Sequence, residues 1–181
     1  MSDTGTKNIL FIGIGKYFSP GGCAVLASTG ELNGKGVTSV KRILNEQRDE
    51  LKSVGSHYSI SSGSYSVHFL YDEPATVYIA VVSDSYPLRC IGMLLTDMQA
   101  VLKSLVSVTS VERDGALDRS CKTQLTKLFD RYTDPAKFDT LMALSKKVET
   151  VKLTMSDNIR EALNNMEQLD MLEQVRLLAL I

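Results

Sequence analysis

Thr76-Val-Tyr-Ile-Ala-Val-Val-Ser83 is an almost unbroken apolar run, and it decides the fold. A run of this length rich in Val, Ile and Tyr reads as a strand buried on both faces. Asp72-Glu-Pro-Ala75 precedes it as a turn, and Tyr65-Ser-Val-His-Phe-Leu-Tyr71 and His57-Tyr-Ser-Ile-Ser61 lie before that, joined by Ser62-Gly-Ser64. Connections this short make the three strands an antiparallel meander. Further towards the N-terminus, Lys7-Asn-Ile-Leu-Phe-Ile-Gly-Ile14 and Cys23-Ala-Val-Leu-Ala27 form a hairpin-like start around the turn-rich residues 15–22. Between the two groups of strands, Val37, Val40, Ile43, Leu44, Arg48 and Leu51 recur at helical spacing, predicting a helix over 37–54 with Ser39, Lys41, Glu46 and Asp49 facing water. Pro87 opens a second helix whose apolar face is Ile91, Leu94, Leu95, Met98, Val101, Leu102 and Leu105. A loop over 106–114 leads to a third helix over 116–132, carrying Leu117, Cys121, Leu125, Leu128 and Phe129. Two strands, a helix, three strands and two helices make an α+β domain with helices available for both faces of one sheet.

Beyond Pro135 the pattern changes. Leu141, Leu144, Val148, Val151, Met155, Asn158, Ala162, Asn165, Leu169, Leu172, Arg176 and Ala179 succeed one another in alternating steps of three and four. Such steps average 3.5 residues, so the stripe stays aligned along an under-wound helix and suits burial by partner helices. Neither Gly nor Pro interrupts it for about five heptads, longer than an ordinary globular helix. Ile159, Leu163 and Met166 lie beside the seam and widen it. Asn158 and Asn165 lie on it, where a polar layer costs stability but sets register and partner number.

Net charge is −1, which argues against a nucleic-acid partner. No run approaches eighteen apolar residues, so no membrane span or secretory signal is predicted, and the chain reads as cytoplasmic. Cys23, Cys90 and Cys121 are widely spaced and odd in number, which fits reduced thiols better than disulfides or a zinc site. Gly13-x-Gly15-Lys16 comes after a strand, as phosphate-cradling loops do, but it lacks both a third glycine and a Gly-Lys-Ser/Thr helix start. His57 and His68 both fall in predicted strands, where structural histidines outnumber catalytic ones. No residue is assigned a catalytic or metal-binding role, no cofactor or small-molecule substrate is indicated, and the chain is expected not to be an enzyme.

The stretch Val148-Glu-Thr-Val-Lys-Leu-Thr-Met155-Ser-Asp-Asn158-Ile-Arg-Glu-Ala-Leu-Asn-Asn165-Met-Glu-Gln-Leu169-Asp-Met-Leu172 resembles the first half of a synaptobrevin-like R-SNARE motif. Asp84-Ser-Tyr86-Pro87-Leu-Arg89 and Arg131-Tyr-Thr-Asp-Pro135-Ala-Lys-Phe-Asp-Thr-Leu141 resemble the longin-domain R-SNAREs that carry a C-terminal prenyl group instead of a membrane span. The resemblance implies a longin (profilin-like) domain over 1–132, with a five-stranded antiparallel sheet between one helix and two. An R-SNARE-like coiled-coil segment would occupy 133–181. Without gaps, the family's central arginine falls on Asn165, which would then be the central layer, with hydrogen-bonding capacity but no charge. Leu141, Leu144, Val148, Val151, Met155, Asn158, Ala162, Leu169 and Leu172 would be the other layers. The motif is cut short at Ile181, as in a truncated chain or in a SNARE relative that cannot zip fully, and the resemblance alone implies a native chain that extends further and finishes in a prenylated cysteine.

The function implied by the resemblance is membrane fusion in vesicle transport between compartments such as ER and Golgi. The C-terminal helix would pair with Q-SNARE proteins in a four-helix bundle, on Golgi or endosomal membranes reached peripherally through the lipid. A wide apolar stripe exposed in a cytosolic monomer is an aggregation liability. It is therefore expected to fold back on the domain across Val40, Ile43, Leu44 and the strand around Ile60, giving a closed state that partners must open. The alternative is a longin-type scaffold subunit of a coat, tether or GTPase-regulatory complex, in which the last helix only dimerises or docks.

Overall fold

The computed structural model describes residues 8–19, 21–31, 34–51, 53–61, 63–105, 113–135, 150–153, 159–165 and 179. In chain order these form β1 (Ile9–Phe18), β2 (Gly22–Gly30), α1 (Gly34–Gln47), β3 (His57–Ser61), β4 (Tyr65–Asp72), β5 (Thr76–Ser83), α2 (Leu88–Leu105), α3 (Asp118–Tyr132) and β6 (Thr150–Lys152). The fold is α+β, with one six-stranded sheet in the order β2-β1-β5-β4-β3-β6. The first five strands pair antiparallel and β6 joins β3 in parallel, so the sheet is mixed and not the purely antiparallel five-stranded one expected.

Every residue of β5 is buried. Its side chains alternate between two apolar layers, as a strand's two-residue period requires. Val77, Ile79 and Val81 join Val40, Ile43 and Leu44 of α1 on one face. Tyr78, Ala80 and Val82 join Ile91, Leu94, Leu95 and Met98 of α2 and Cys121 and Leu125 of α3 on the other. One helix thus covers the first face and two cover the second.

Several local expectations are corrected. The first hairpin turns later than expected, because Gly15, Lys16, Tyr17 and Phe18 continue β1 in register with Val25, Ala24, Cys23 and Gly22. Gly13 and Gly15 accordingly lie inside a strand and not in a phosphate loop. Their missing side chains make room for neighbours: a Cβ on Gly13 would stand 2.8 Å from the Phe11 ring, and one on Gly15 3.1 Å from Leu44 Cδ1. The helix expected over 37–54 stops at Gln47. Just beyond it, the Arg48 guanidinium donates to the carbonyls of Phe18 and Gly22 at 2.9 and 3.0 Å, tying the chain to the first hairpin. Leu51 still reaches the core from the turn beyond the helix, and Ser39 is buried instead of facing water.

The two sequence stretches that carried the resemblance in the domain meet in space. Tyr86 donates its hydroxyl to the Tyr132 carbonyl at 2.6 Å, and Tyr132 in turn donates to Asp97 Oδ2 at 2.5 Å. Burial, together with the Asp97 hydrogen bond, pushes the Tyr132 hydroxyl's pKa well up and keeps it a donor. This pair ties the C-terminal end of α3 to α2 and to the turn before it.

The largest correction concerns the C-terminal segment. A continuous heptad helix would pass through residues 150–152, yet these are extended and belong to the sheet. Residues 159–165 are helical. The layer positions Leu141, Leu144, Val148, Met155, Asn158, Leu169 and Leu172 lie outside the described residues.

Candidate interaction surface

Strand β3 offers two edges. One pairs with β4, and the other would leave a row of main-chain donors and acceptors open to any extended chain. The protein closes it with its own C-terminal segment. His57, Tyr58 and Ser59 face Thr150, Val151 and Lys152 in parallel register, and the Leu153 N–H donates to the Ser59 carbonyl at 2.9 Å. The β-branched Thr150 and Val151 suit an extended backbone. Leu153 then turns into the apolar layer under α1.

The helical residues 159–165 continue on the same side. Ile159 and Ala162 are wholly inaccessible and Leu163 nearly so. They belong to one buried layer with Val40, Ile43, Leu44, Leu51, Tyr58, Ile60 and Phe69. The spacing of 159, 162 and 163 places all three on one helical stripe. Burying Ile159 and Leu163 contributes about 1.5–3 kcal/mol each before ordering costs. At the rim of this groove Arg42 Nη2 of α1 lies 3.3 Å from Glu161 Oε2, an ion pair between two well-exposed side chains.

The structure thus brings together Val40, Ile43, Leu44, Ile60 and part of the segment beyond Pro135. Of the described seam positions, Ala162 is buried in this layer, Asn165 is half-buried, Val151 is 50% exposed on β6 and Ala179 is exposed. The stripe that docks is centred on Ile159, Ala162 and Leu163, so it is rotated towards the residues flanking the seam. The polar Asn165 stands at its border. Sequence reading missed β6 and the Arg42–Glu161 pair. The only signal for β6 was the β-branched pair Thr150-Val151 with the short alternation Val151-Lys-Leu153, which fits a strand as well as it fits heptads.

On the other face of β3 the two histidines meet each other. His57 Nε2 lies 3.0 Å from His68 Nδ1, and His68 Nε2 lies 2.9 Å from Ser66 Oγ. Hydroxyl, imidazole and imidazole form a continuous row, yet all three side chains are buried. Burial lowers the His57 pKa from 6.5 to about 4, and burial plus the neighbouring ring lowers His68 to about 3. Both rings are therefore neutral at pH 7, and His57 Nδ1 has no hydrogen-bond partner among the described residues. Cys23, Cys90 and Cys121 are free and buried, and burial raises the thiol pKa at Cys23 and Cys121. Among the described residues, no group of three or more His, Cys, Asp and Glu is placed to hold a metal ion. Nor is any described helix long and apolar enough to cross a membrane.

No protein-family model and no curated protein matches the chain.

Proposed function

We propose that the chain is a longin-type domain regulating an R-SNARE-like segment, and that its task is to pair with Q-SNARE helices in vesicle fusion. The single observation that supports this reading best is the docking of residues 150–153 and 159–163 along β3 and under α1. In the closed state this docking uses Ile159, Ala162 and Leu163. A four-helix bundle would use the seam through Val151, Asn158, Ala162, Asn165 and Leu169. Ala162 belongs to both surfaces and the flanking residues differ, so the segment cannot satisfy both at once. Partner helices must unpair β6, and only their preference for the released segment shifts the balance. Asn165 would supply the central layer by hydrogen bonding alone, and the prenyl anchor that the resemblance implies would bring the protein to Golgi or endosomal membranes.

The test is helix formation on mixing the chain with candidate Q-SNARE helices, monitored by circular dichroism. Helicity beyond the sum of the parts is expected. Leu169→Asp should abolish it, whereas Ile159→Asp should speed it by unseating the closed segment. No gain with either wild type or Ile159→Asp would remove the SNARE reading.

The second reading, a longin-type scaffold subunit of a coat, tether or GTPase-regulatory complex, is favoured by β6 itself. A strand belonging to the sheet suits a permanent part of the domain, and an uncharged Asn165 suits a helix with no ionic layer to build. On that reading Ile159→Asp unfolds or aggregates the domain and frees no binding-competent helix.

A further inference from the structure

The buried row of Ser66, His68 and His57 crosses from β4 to β3 and ends there. With His57 Nε2–H donating to His68 Nδ1 and His68 Nε2–H donating to Ser66 Oγ, every ring nitrogen but one is satisfied. The exception is His57 Nδ1, buried and without a hydrogen-bond partner among the described residues. It is therefore the atom at which the row takes up a further proton without breaking a bond. His57 also stands at the seam between the domain and its C-terminal segment. It lies opposite Thr150 in the parallel register of β3 with β6, and without β6 it would belong to the edge strand of the sheet. The main-chain bond from Leu153 to Ser59 closes the same seam two residues further on.

We propose that this row is a pH-sensitive latch: a proton taken up at His57 Nδ1 favours release of β6 from β3 and so frees the docked segment. Protonation turns a lone pair into a donor that lacks an acceptor, and it puts a charge where water does not reach. Release of β6 makes His57 an edge residue, where water accepts from the ring and solvates the charge. The groups on the surrounding elements do not substitute for water. Strand β6 carries Lys152, on the same face as Thr150 by the two-residue period, and a second positive charge beside it is unfavourable. On the same face β4 carries Asp72, which is taken up by Gln99 and Lys103, and β5 carries Tyr78, whose pKa burial raises. Helix α2 carries Arg89, the buried Cys90, Lys103 and Asp97, whose carboxylate accepts from Tyr132. Burial is what lowers the His57 pKa from 6.5 to about 4. His57 and His68 are the only two histidines of the chain, so no other side-chain type here titrates at its ordinary pKa between pH 7 and pH 5. If release restores the ordinary value at His57, the ratio of released to docked segment rises about 20-fold between pH 7 and pH 5. The inference rests on the displaceable segment of the reading above, but not on its pairing with Q-SNARE helices.

The experiment is amide hydrogen exchange of the full chain at pH 7 and pH 5, read at the Leu153 N–H and corrected for the intrinsic exchange rate at each pH. Its protection should fall about 20-fold in wild type and less than about twofold in His57→Gln. Titration of the imidazole resonances by NMR gives the reciprocal measurement and does not depend on how His57→Gln folds. Ile159→Asp, which unseats the segment, should raise the His57 pKa from about 4 towards 6.5. Equal Leu153 protection at the two pH values overturns the proposal, as does an equal fall in wild type and His57→Gln. A His57 pKa unmoved by Ile159→Asp overturns it too. So does a Leu153 N–H as protected at pH 7 as the amides of β5, or an Ile159→Asp chain that is unfolded at pH 7, because the segment would then leave only with the whole domain. Acid release in a chain that never pairs with Q-SNARE helices would support the latch and remove the SNARE reading alone.

Discussion

The two edges of the sheet are closed by different means. At the β2 edge, Val25 donates to Asp114 Oδ1 and accepts from the Gly115 N–H, while Ser28 donates to Asp118 Oδ1. The register of β1 against β2 slips between Ile14 and Gly15, leaving Leu26 unopposed, and its carbonyl accepts from the Leu117 N–H at 2.8 Å. Leu117 and Cys121 are then buried in the core beneath. This edge is sealed by the start of α3, an element that the domain needs for its own core. At the β3 edge the seal, among the described residues, is three residues of parallel strand, a single further main-chain bond, a few buried aliphatic side chains and one exposed ion pair. An edge must be covered to prevent indiscriminate pairing. On the proposed reading the first cover is structural and the second, lighter one is the cover that a partner would displace.

Equivalent truncations on the two sides should therefore differ in kind. Leu125 of α3 and Leu163 are both buried. Leu125→Ala is expected to cost about 2–5 kcal/mol of global stability in urea titration. Leu163→Ala should move the global transition by less than about 1 kcal/mol, since the docked segment opens as a smaller unit. It should instead accelerate tryptic cleavage at Lys152 and Arg160. Equal losses of global stability from the two variants would mean that the C-terminal segment is as integral as α3, which favours the scaffold reading.

Acid should weaken the β3 side of the sheet. For a histidine whose folded pKa is lowered, the unfolded chain takes up protons first as pH falls. Stability is then complete above the unfolded value of 6.5 and declines as pH drops from there towards about 4 at His57 and about 3 at His68. Denaturation midpoints measured between pH 7 and pH 4.5 should fall, and the variant H57Q/H68Q should flatten that dependence. An unchanged slope in the double variant would place the acid sensitivity elsewhere. At the β2 edge the dependence has a different origin. Burial pushes the Asp114 pKa up, but hydrogen bonds from Lys41 and the Val25 N–H outweigh it and hold it below the usual carboxylate value. Its stabilising contribution is present above the unfolded pKa and lost as pH falls through the lower folded one. Asp114→Asn keeps the side chain's shape and removes the charge; because the side chain is half exposed and its ion pair screened, only about 0.2–1 kcal/mol should be lost at neutral pH, with little difference from wild type in strong acid.

The same contrast separates what the sequence makes legible from what it hides. Strand β5 was legible because its short apolar run is rich in Val, Ile and Tyr and follows a turn, and α2 because its apolar period is unmistakable. The β2 edge was not, since Asp114 and Gly115 lie in a loop whose partner, Val25, is some ninety residues away in sequence. The Val40, Ile43, Leu44 and Ile60 surface was legible as apolar, and Ile159 and Leu163 as residues widening a seam. The conformation of residues 150–152 could not be read. Local preference leaves strand and helix nearly balanced there, and the open edge of β3, a non-local feature, decides for strand. For the same reason a different partner surface could decide for helix.

The smallest expected effect tests the rim of the β3 cover. Arg42 and Glu161 are 39% and 63% exposed, and their closest approach is 3.3 Å. Such a pair is worth about 0.2–1 kcal/mol and is screened by salt. Arg42→Ala and Glu161→Gln should each raise the rate of tryptic cleavage at Lys152 by no more than about fivefold, and the double variant should resemble either single one, because the two changes remove one shared contact. Raising the ionic strength should bring wild type and variants together. If the double variant instead opens the segment far more than either single change, the two residues hold it through separate contacts. The apolar layer beneath would then be a weaker part of the seal than the burial of Ile159, Ala162 and Leu163 suggests.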